Sequence, residues 1–524
     1  MTKKPHRLIP QILAAALTLF GVALCSTPSS TYNNLGNVKS VLGKYEEAIV
    51  DFSKAIELNR KDADAYNHRG YAKLELGKYE EAIADFNKAL ELNPKDASAY
   101  KNRGLAKSVL GKPEEMNADF NKAFELNPKD ANGYFMRGLL NSIQGKKAEA
   151  LADFNQVIDL HPKDASAYNS RGDAKFALGK KAEAIADYNK AIELNPKDAD
   201  AYNDRGYAKS DLGKKAEAMA DYNKALGLNP KDAYAYYNRG TANYALGKTE
   251  EAIADYTKAI DLNPNNHFTY FDRGKAKRTL GKTEEAIADF SKAIELNPKY
   301  ADAYIGRGKA KSALGKNAEA IPDFSKAIEL NPKDAGAYFD RGYIKFTLAK
   351  KEEALRDFSK AIDLNPKYTD AYHMRATVNS MLGKQAETIA DYTKLIDLNP
   401  KHTGAYFGRG YTKYGLGKTE EAIADFSKAI DTEPKNASAY FYRGVGKDNL
   451  GKKKEALADY NKAIELAPAY PTDVYVRRAN VKSALGKKAE AIADYQKAAD
   501  LYKYQGNTSD YQEAINKIQE LSAE

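Results

Sequence analysis

The residue types that most often carry catalysis or bind metals are few in this chain and lie far apart. The 524 residues include six histidines and a single cysteine, Cys25. The sequence contains no glycine-rich phosphate loop and no nucleophile elbow. One cysteine also provides no thiol cluster for zinc and no internal disulfide. The pattern therefore predicts a protein that is not an enzyme and has no cofactor and no metal site.

The spacing of the histidines and the acidic residues also indicates no catalytic or metal-binding site. His68, His267 and His373 are widely separated, and isolated histidines are more often surface residues than ligands. The 72 acidic residues could always be paired on paper into an acid and a base. Because they recur at strict intervals, we interpret them as structural.

That interval belongs to an internal repeat. The block AYNHRGYAKLELGKYEEAIADFNKALELNPKDA, residues 65–97, recurs along nearly the whole chain with a period of 34 residues. A small residue marks each of fourteen copies, the last displaced by one inserted residue within 469–472. The markers are Gly36, Gly70, Gly104, Gly138, Gly172, Gly206, Gly240, Gly274, Gly308, Gly342, Ala376, Gly410, Gly444 and Ala479.

Each copy has the features of a helical hairpin. Apolar residues occur at helical spacing over about 64–76 and 80–92, with a glycine–lysine turn between the two segments. Pro94 stops the second helix, because proline lacks the backbone N–H that would continue it. Asp62 and Asp96 stand where an N-cap would accept bonds from the free amides of the following helix.

The spacing of the repeated residues resembles the tetratricopeptide repeat signature. The matching positions in one copy are Tyr66, Gly70, Ala82, Phe86, Ala89 and Pro94. The resemblance implies an all-α fold, an α-solenoid in which about 14 helix–turn–helix units form a right-handed superhelix. We place the array at 29–502, with repeats starting near 29, 63, 97, 131, 165, 199, 233, 267, 301, 335, 369, 403, 437 and 472. An amphipathic segment at 509–522 is predicted to be a C-terminal capping helix.

Two features depart from that family pattern. Thirteen repeats have arginine before the marker residue, as at Arg69 and Arg103, whereas the first repeat has Leu35. An unpaired arginine on a packing face would be costly, and every repeat has an aspartate in its second helix, as at Asp85 and Asp119. One hypothesis is a ladder in which each arginine meets the aspartate of the preceding repeat. The alternative is a pair within the same repeat.

Repeat eleven also departs from the pattern. Ala376, Thr388 and Leu395 replace the usual glycine, alanine and alanine at three packing positions. Either this repeat is a hinge, or the changes are drift without consequence.

Binding specificity is expected where the repeats differ from one another. In the family, the first helices line a concave groove, and at the fifth position of each repeat this sequence has mainly polar residues early and aromatic residues late. Aromatic rings dominate protein-binding hot spots, so we predict a partner-binding groove. The alternative for part of this series is packing between helices. The predicted groove residues are Phe135, Tyr234, Tyr237, Tyr244, Phe268, Phe271, Phe339, Tyr343, Phe346, Phe407, Tyr411, Tyr414, Phe441 and Tyr442.

The function implied by the resemblance is a non-catalytic protein–protein interaction scaffold that binds peptide or helical segments of partner proteins. The alternative is an accessory subunit that recruits substrate for an envelope enzyme complex, of the glycosyltransferase or assembly-machinery kind. The net charge of +9 is spread over interleaved lysine and glutamate, which predicts no nucleic-acid partner. We expect a monomer.

The N-terminus predicts export. Residues 1–25 combine a basic start, an apolar run at 12–24 and small polar residues after it, which is typical of a signal peptide or an N-terminal membrane anchor. Cys25 ends the apolar run as in a bacterial lipoprotein box, although Leu24 is larger than the residue such boxes prefer. We predict a protein of the periplasm, the cell envelope or the secreted fraction, with Cys25 as a candidate lipidation site.

Overall fold

The computed structural model describes residues 27–468 and 472–523. Within these ranges the chain forms 29 α-helices and no β-strand, so the predicted all-α array of helical hairpins is confirmed. In chain order, α1 to α29 are Pro28–Val41, Tyr45–Leu58, Ala63–Glu75, Tyr79–Leu92, Ala97–Val109, Pro113–Leu126, Ala131–Ile143, Lys147–Leu160, Ala165–Ala177, Lys181–Leu194, Ala199–Asp211, Lys215–Leu228, Ala233–Ala245, Thr249–Leu262, His267–Thr279, Thr283–Leu296, Ala301–Ala313, Asn317–Leu330, Ala335–Thr347, Lys351–Leu364, Thr369–Met381, Gln385–Leu398, Thr403–Gly415, Thr419–Thr432, Ala437–Asn449, Lys453–Leu466, Asp473–Ala484, Lys488–Tyr504 and Thr508–Ala523.

The helices fall into two compact units that divide between Leu262 and Asn263. The first unit holds repeats one to seven, and the second holds repeats eight to fourteen together with the C-terminal helix α29, which packs on α28. None of the helices in the described ranges is both long and apolar enough to span a bilayer. The predicted leader at 1–25, including Cys25, lies outside the described residues.

Local chemistry explains why each repeat is a hairpin. The Asp62 carboxylate accepts the Ala65 backbone N–H at 3.1 Å and so caps the start of α3. At the end of α3, Gly77 adopts a φ of 75°, a conformation that glycine reaches without strain. The Lys78 N–H then donates to the Lys73 carbonyl at 2.9 Å, which closes the helix and starts the turn into α4.

Close packing within the hairpin requires the small marker residue. A Cβ built on Gly70 would lie 2.7 Å from Cε1 of the buried Phe86 ring, so the two helices approach each other through the glycine. Repeat eleven accommodates its bulkier set differently: Ala376, Thr388 and Leu395 are all fully buried. The two helices of repeat eleven keep the lengths seen in the other repeats.

The Arg–Asp ladder between repeats is wrong. Arg103 forms a bidentate pair with Asp119 of its own repeat, with Nη2 to Oδ1 at 2.6 Å and Nε to Oδ2 at 2.9 Å. The reason is that the first and second helices of one hairpin face each other at this level. The remaining nitrogen, Nη1, does reach the preceding repeat, where it donates to the neutral Asn87 at 2.7 Å.

The aspartate is shared with a second donor in most repeats. Lys107 lies one turn after Arg103 and places its Nζ 2.9 Å from Asp119 Oδ2. In the first repeat, where Leu35 replaces the arginine, Lys39 alone pairs with Asp51 at 2.6 Å. The framework of each repeat therefore includes one buried carboxylate neutralised from the first helix.

Candidate partner-binding face

The predicted groove residues lie on what we call the first-helix face, formed by positions two, five, six, nine and twelve of the first helices. At position five the aromatic rings other than Phe441 are half-buried, and each packs against the buried ring of its own second helix. The ring centroids of Phe407 and Phe426 are 5.7 Å apart. The same contact is made by Phe135, Tyr237, Phe271 and Phe339, at 5.7 to 5.9 Å. One edge of each ring thus packs in the core, and the other edge is accessible to solvent.

Phe441 is a correction to the predicted face. It is only 7% exposed and belongs to a core cluster with Val445, Val474 and Tyr475. Residues of repeat fourteen cover it, so it serves packing rather than ligand contact.

Four of the predicted residues are well exposed, namely Tyr234, Phe268, Tyr343 and Tyr411. Another four are half-buried, namely Tyr244, Phe346, Tyr414 and Tyr442.

Repeats twelve and thirteen bring several of these rings together. We define the aromatic cluster as Phe407, Tyr411 and Tyr442. Tyr442 contacts Phe407 edge-on at 5.7 Å and Tyr411 edge-on at 5.1 Å between ring centroids. Beside this cluster, the Tyr414 hydroxyl accepts a hydrogen bond from Asn449 Nδ2 at 2.9 Å. The rings therefore hold one another in place across two repeats.

A second aromatic group lies in repeats eight and nine. Tyr300 contacts Phe271 at 5.1 Å and Phe268 at 5.4 Å, in both cases edge-on. Lys275 lies over the Phe271 ring at 5.3 Å and pairs with Asp272 at 3.2 Å. The charges on this part of the face are therefore already paired.

The sequence interpretation missed two aromatic residues that lie beside the face. Tyr300 and Tyr368 occupy the capping position that is aspartate in half of the repeats, and neither side chain caps its helix. Tyr368 instead packs on Phe339 at 4.9 Å, and burial raises its pKa to about 12. The signal that could have found them is the loss of the periodic aspartate at these two positions.

In the first unit the same face is mainly polar. The amide of Asn102 donates to Asn67 of the preceding repeat at 3.2 Å, and Asn238 donates to Asn203 at 3.0 Å. His68 likewise meets Asn33 at 3.0 Å. We call these contacts between positions five and six of neighbouring repeats the amide ladder.

Two carboxylates lie on this face in repeats five and six, Asp204 within the amide ladder and Asp173 at position nine. Asp204 accepts from Asn169 at 3.0 Å, and Asp173 accepts from the Tyr188 hydroxyl at 2.9 Å. Asp173 is exposed to solvent, and Asp204 is half-buried. Desolvation by the surrounding protein raises the pKa of each carboxyl above its usual range. Hydrogen bonds from Tyr188 and Asn169 oppose this shift, and nearby aspartates add to it.

In the part of the chain that the structure describes, no set of three or more histidine, cysteine or acidic side chains could hold a metal ion.

Comparisons with solved structures found repeat proteins of the same kind. The MamA protein is 31% identical over 33% of this chain and 94% of its own, with a TM-score of 0.31. YrrB, described as a TPR protein with an unusual peptide-binding site, is 29% identical over 36% of this chain and 96% of its own, with a TM-score of 0.32. A tetratricopeptide repeat protein from Parabacteroides merdae is 25% identical over 47% of this chain and 98% of its own, with a TM-score of 0.36. No match was found among curated proteins.

Family models match most of the chain. Models described as tetratricopeptide repeat match 63–96, 101–165, 233–266, 255–288, 301–334, 335–368, 407–471 and 472–505. A model described as TPR repeat matches 36–77, 172–213, 209–247 and 274–315. With these matches, the hairpin geometry and the repeated glycine–aromatic packing, the chain belongs to the tetratricopeptide repeat family.

Proposed function

We propose that this protein is a non-catalytic scaffold that binds peptide or helical segments of partner proteins on the first-helix face of repeats eight to thirteen. Tetratricopeptide repeats support protein–protein interaction in general. The observation that carries the location is the aromatic cluster, whose central ring, Tyr411, is 50% exposed while its other side is fixed by Tyr442.

Physical reasoning favours this surface over the rest of the face. A tyrosine or phenylalanine ring offers a large contact area and loses little side-chain entropy when it is buried by a ligand. Here part of that entropy is already lost in the free protein, because Phe407 and Tyr442 confine the Tyr411 ring. Such preorganisation lowers the cost of binding.

The test uses peptides selected against the full chain from a random display library. We expect the selected peptides to carry aromatic or aliphatic anchors and to lose affinity by about 30-fold in Tyr411→Ala, the effect of removing a hot-spot ring.

Tyr207→Ala is the matched control for this test. It lies at the same position nine in repeat six and is 48% exposed, but it belongs to the amide-ladder region. Equal losses in the two variants, or no loss in Tyr411→Ala, would place the ligand elsewhere.

We further propose that the scaffold acts as a monomer in the cell envelope. The support for envelope location is the leader-like sequence of residues 1–25, with Cys25 as a lipid attachment site. Cell fractionation and palmitate labelling of wild type and Cys25→Ser test this. Loss of the label with Cys25→Ser would support anchoring through Cys25, whereas an unlabelled wild type would exclude it. Light scattering of the purified chain tests the monomer.

A further inference from the structure

His402 caps a helix in a way that depends on its protonation state. It occupies the capping position before α23, and its Nδ1 accepts the Ala405 backbone N–H at 3.0 Å. Only an unprotonated Nδ1 can accept this bond, so the ring must be neutral with its proton on Nε2. In most other repeats an aspartate performs this role, as Asp62 does for α3, and that cap stays available at mildly acidic pH.

A second histidine lies against the first. His373, at position five of repeat eleven, has its ring centroid 5.6 Å from that of His402. Its Nδ1 is buried and has no hydrogen-bond partner among the described residues. Burial first, and then the His402 charge, lowers the pKa of His373, while Asp370 acts in the opposite direction.

The surroundings offer little to neutralise a proton on this pair. The other ring packed on His373 is Tyr392 of α22, at 6.1 Å between centroids. Asp370 is the acidic group that acts on His373, and no ion pair of the described residues includes either histidine. A charge at His402 would also face the positive end of the α23 dipole.

The junction concerns the proposed ligand face directly. The helix that His402 caps is α23, which carries Phe407 and Tyr411 of the aromatic cluster within its first three turns. Loss of the cap would therefore loosen the backbone that positions these rings.

We propose that His373 and His402 form a proton-sensitive joint between repeats eleven and twelve, which holds the start of α23 at neutral pH and releases it on acidification. The direction follows from linkage. Because folding lowers the pKa of His373, the unfolded chain binds protons more readily below the ordinary histidine value of about 6.5. The joint is therefore most stable above about pH 6.5, and its stability declines as the pH falls from that value to the lowered pKa of His373.

The test is hydrogen exchange of the full chain at about pH 7.5 and about pH 5.5, corrected for intrinsic exchange rates and carried out with a chelator to exclude trace metals. We expect protection of the amides at 405–407 to fall about fivefold at the lower pH, the usual effect of losing an N-cap. The start of α25, capped by Asn436 at 3.0 Å, is an internal control and should not change.

The decisive variant is His402→Asn, since asparagine caps α25 at the equivalent position and does not titrate in this range. Because its cap binds no proton, its α23 amides should lose clearly less protection between the two pH values than those of the wild type. Unchanged wild-type protection, or an equal fall in His402→Asn, would overturn the proposal.

Loosening of the aromatic cluster should also weaken peptide binding at the lower pH, and only this expectation rests on the proposed function. If exchange responds to pH but peptide binding does not, the joint stands and the ligand face has been misplaced.

Discussion

The two units of the molecule use the same hairpin framework and differ on the first-helix face. In the first unit, amides such as Asn67 and Asn102 satisfy one another across neighbouring repeats. In the second, rings such as Phe407 and Tyr442 contact one another and still leave open edges. Groups that have already satisfied their hydrogen bonds have less to gain from a ligand, whereas half-open rings gain contact area. The difference teaches that a constant framework can carry a face of paired amides in one unit and a face of half-open aromatic rings in the other.

The largest expected effect is the loss of a buried aspartate, and it should destabilise both units equally. Asp85 and Asp425 are almost fully buried, and each accepts a bidentate arginine and a lysine. Asp85→Ala and Asp425→Ala should each lower the local free energy of unfolding by about 3 kcal/mol, because an arginine loses its buried partner. Native-state hydrogen exchange measures this repeat by repeat.

An exposed pair is the control for these variants. Lys88 and Glu91 are 2.8 Å apart on the surface, and Glu91→Ala should change stability by less than about 0.5 kcal/mol. A large difference between Asp85→Ala and Asp425→Ala would show that the framework is not the same in the two units.

Hairpin packing should be somewhat tighter in repeat two than in repeat twelve. A Cβ on Gly70 would lie 2.7 Å from the Phe86 ring, whereas one on Gly410 would lie 3.1 Å from Phe426 and from Asp425. We expect Gly70→Ala to lower the free energy of unfolding by about 2 kcal/mol and Gly410→Ala to lower it by about 1 kcal/mol. The reason is that repulsion between the added methyl group and its neighbours rises steeply as their distance shortens. Urea denaturation of both variants gives the order, and the reverse order would contradict it.

The amide ladder should stabilise the first unit whether or not a ligand binds. Asn67 is nearly buried, donates to Asp96 at 3.0 Å and accepts from Asn102. Asn67→Ala leaves these partners without their hydrogen bonds. It should lower the local free energy of unfolding of repeats two and three, measured by hydrogen exchange, by about 1–2 kcal/mol. Peptide affinity should not change; a matching loss of affinity would mean that the first unit also binds ligand.

The two carboxylates of the first unit predict a pH effect. The pKa of Asp204 is raised in the folded protein, so folding favours its protonated form and stability falls as pH rises from about 4 through the raised value. Asp204→Asn should therefore stabilise repeats five and six by about 1 kcal/mol at pH near 8 and have no effect near pH 4.

A matched control for this effect lies in the second unit. Asp340 also occupies position six but has Lys309 as a partner at 2.9 Å. Burial raises the pKa of the Asp340 carboxyl, and Lys309 opposes that shift. Because Asp340→Asn also removes the ion pair, it should stabilise less than Asp204→Asn at pH near 8. Equal stabilisation by both variants would show that the missing cation in the first unit is not the cause.

The period, the hairpins and the caps were predictable because they depend on local signals. Helical apolar spacing, the turn glycine at Gly77 and the capping aspartate at Asp62 act over a few residues each. The partner of Arg103 was not predictable in this way. Asp119 of its own repeat and Asp85 of the preceding one lie at similar distances along the chain, and only the packing decides between them.

The aromatic series was likewise visible in the sequence, but the exposure of each ring was not. Phe407 and Phe441 occupy the same position, yet only Phe441 is buried, in a core cluster that includes Val474 and Tyr475 of the next repeat. The capping role of His402 depends on a hydrogen bond from Ala405, which the identity of the residue alone does not reveal.

The smallest expected effect concerns the one turn whose residue differs from the others. Repeat ten has Ala349, with a φ of 59°, where the neighbouring repeats have glycines such as Gly315 at 74°. A side chain in this left-handed region is strained, while glycine is not. Ala349→Gly should therefore stabilise repeat ten by about 0.5 kcal/mol, the relief of strain less the entropy that glycine adds to the unfolded chain. Gly315→Ala in repeat nine should have the opposite sign, and equal signs in hydrogen exchange of the two repeats would show that turn strain does not limit this framework.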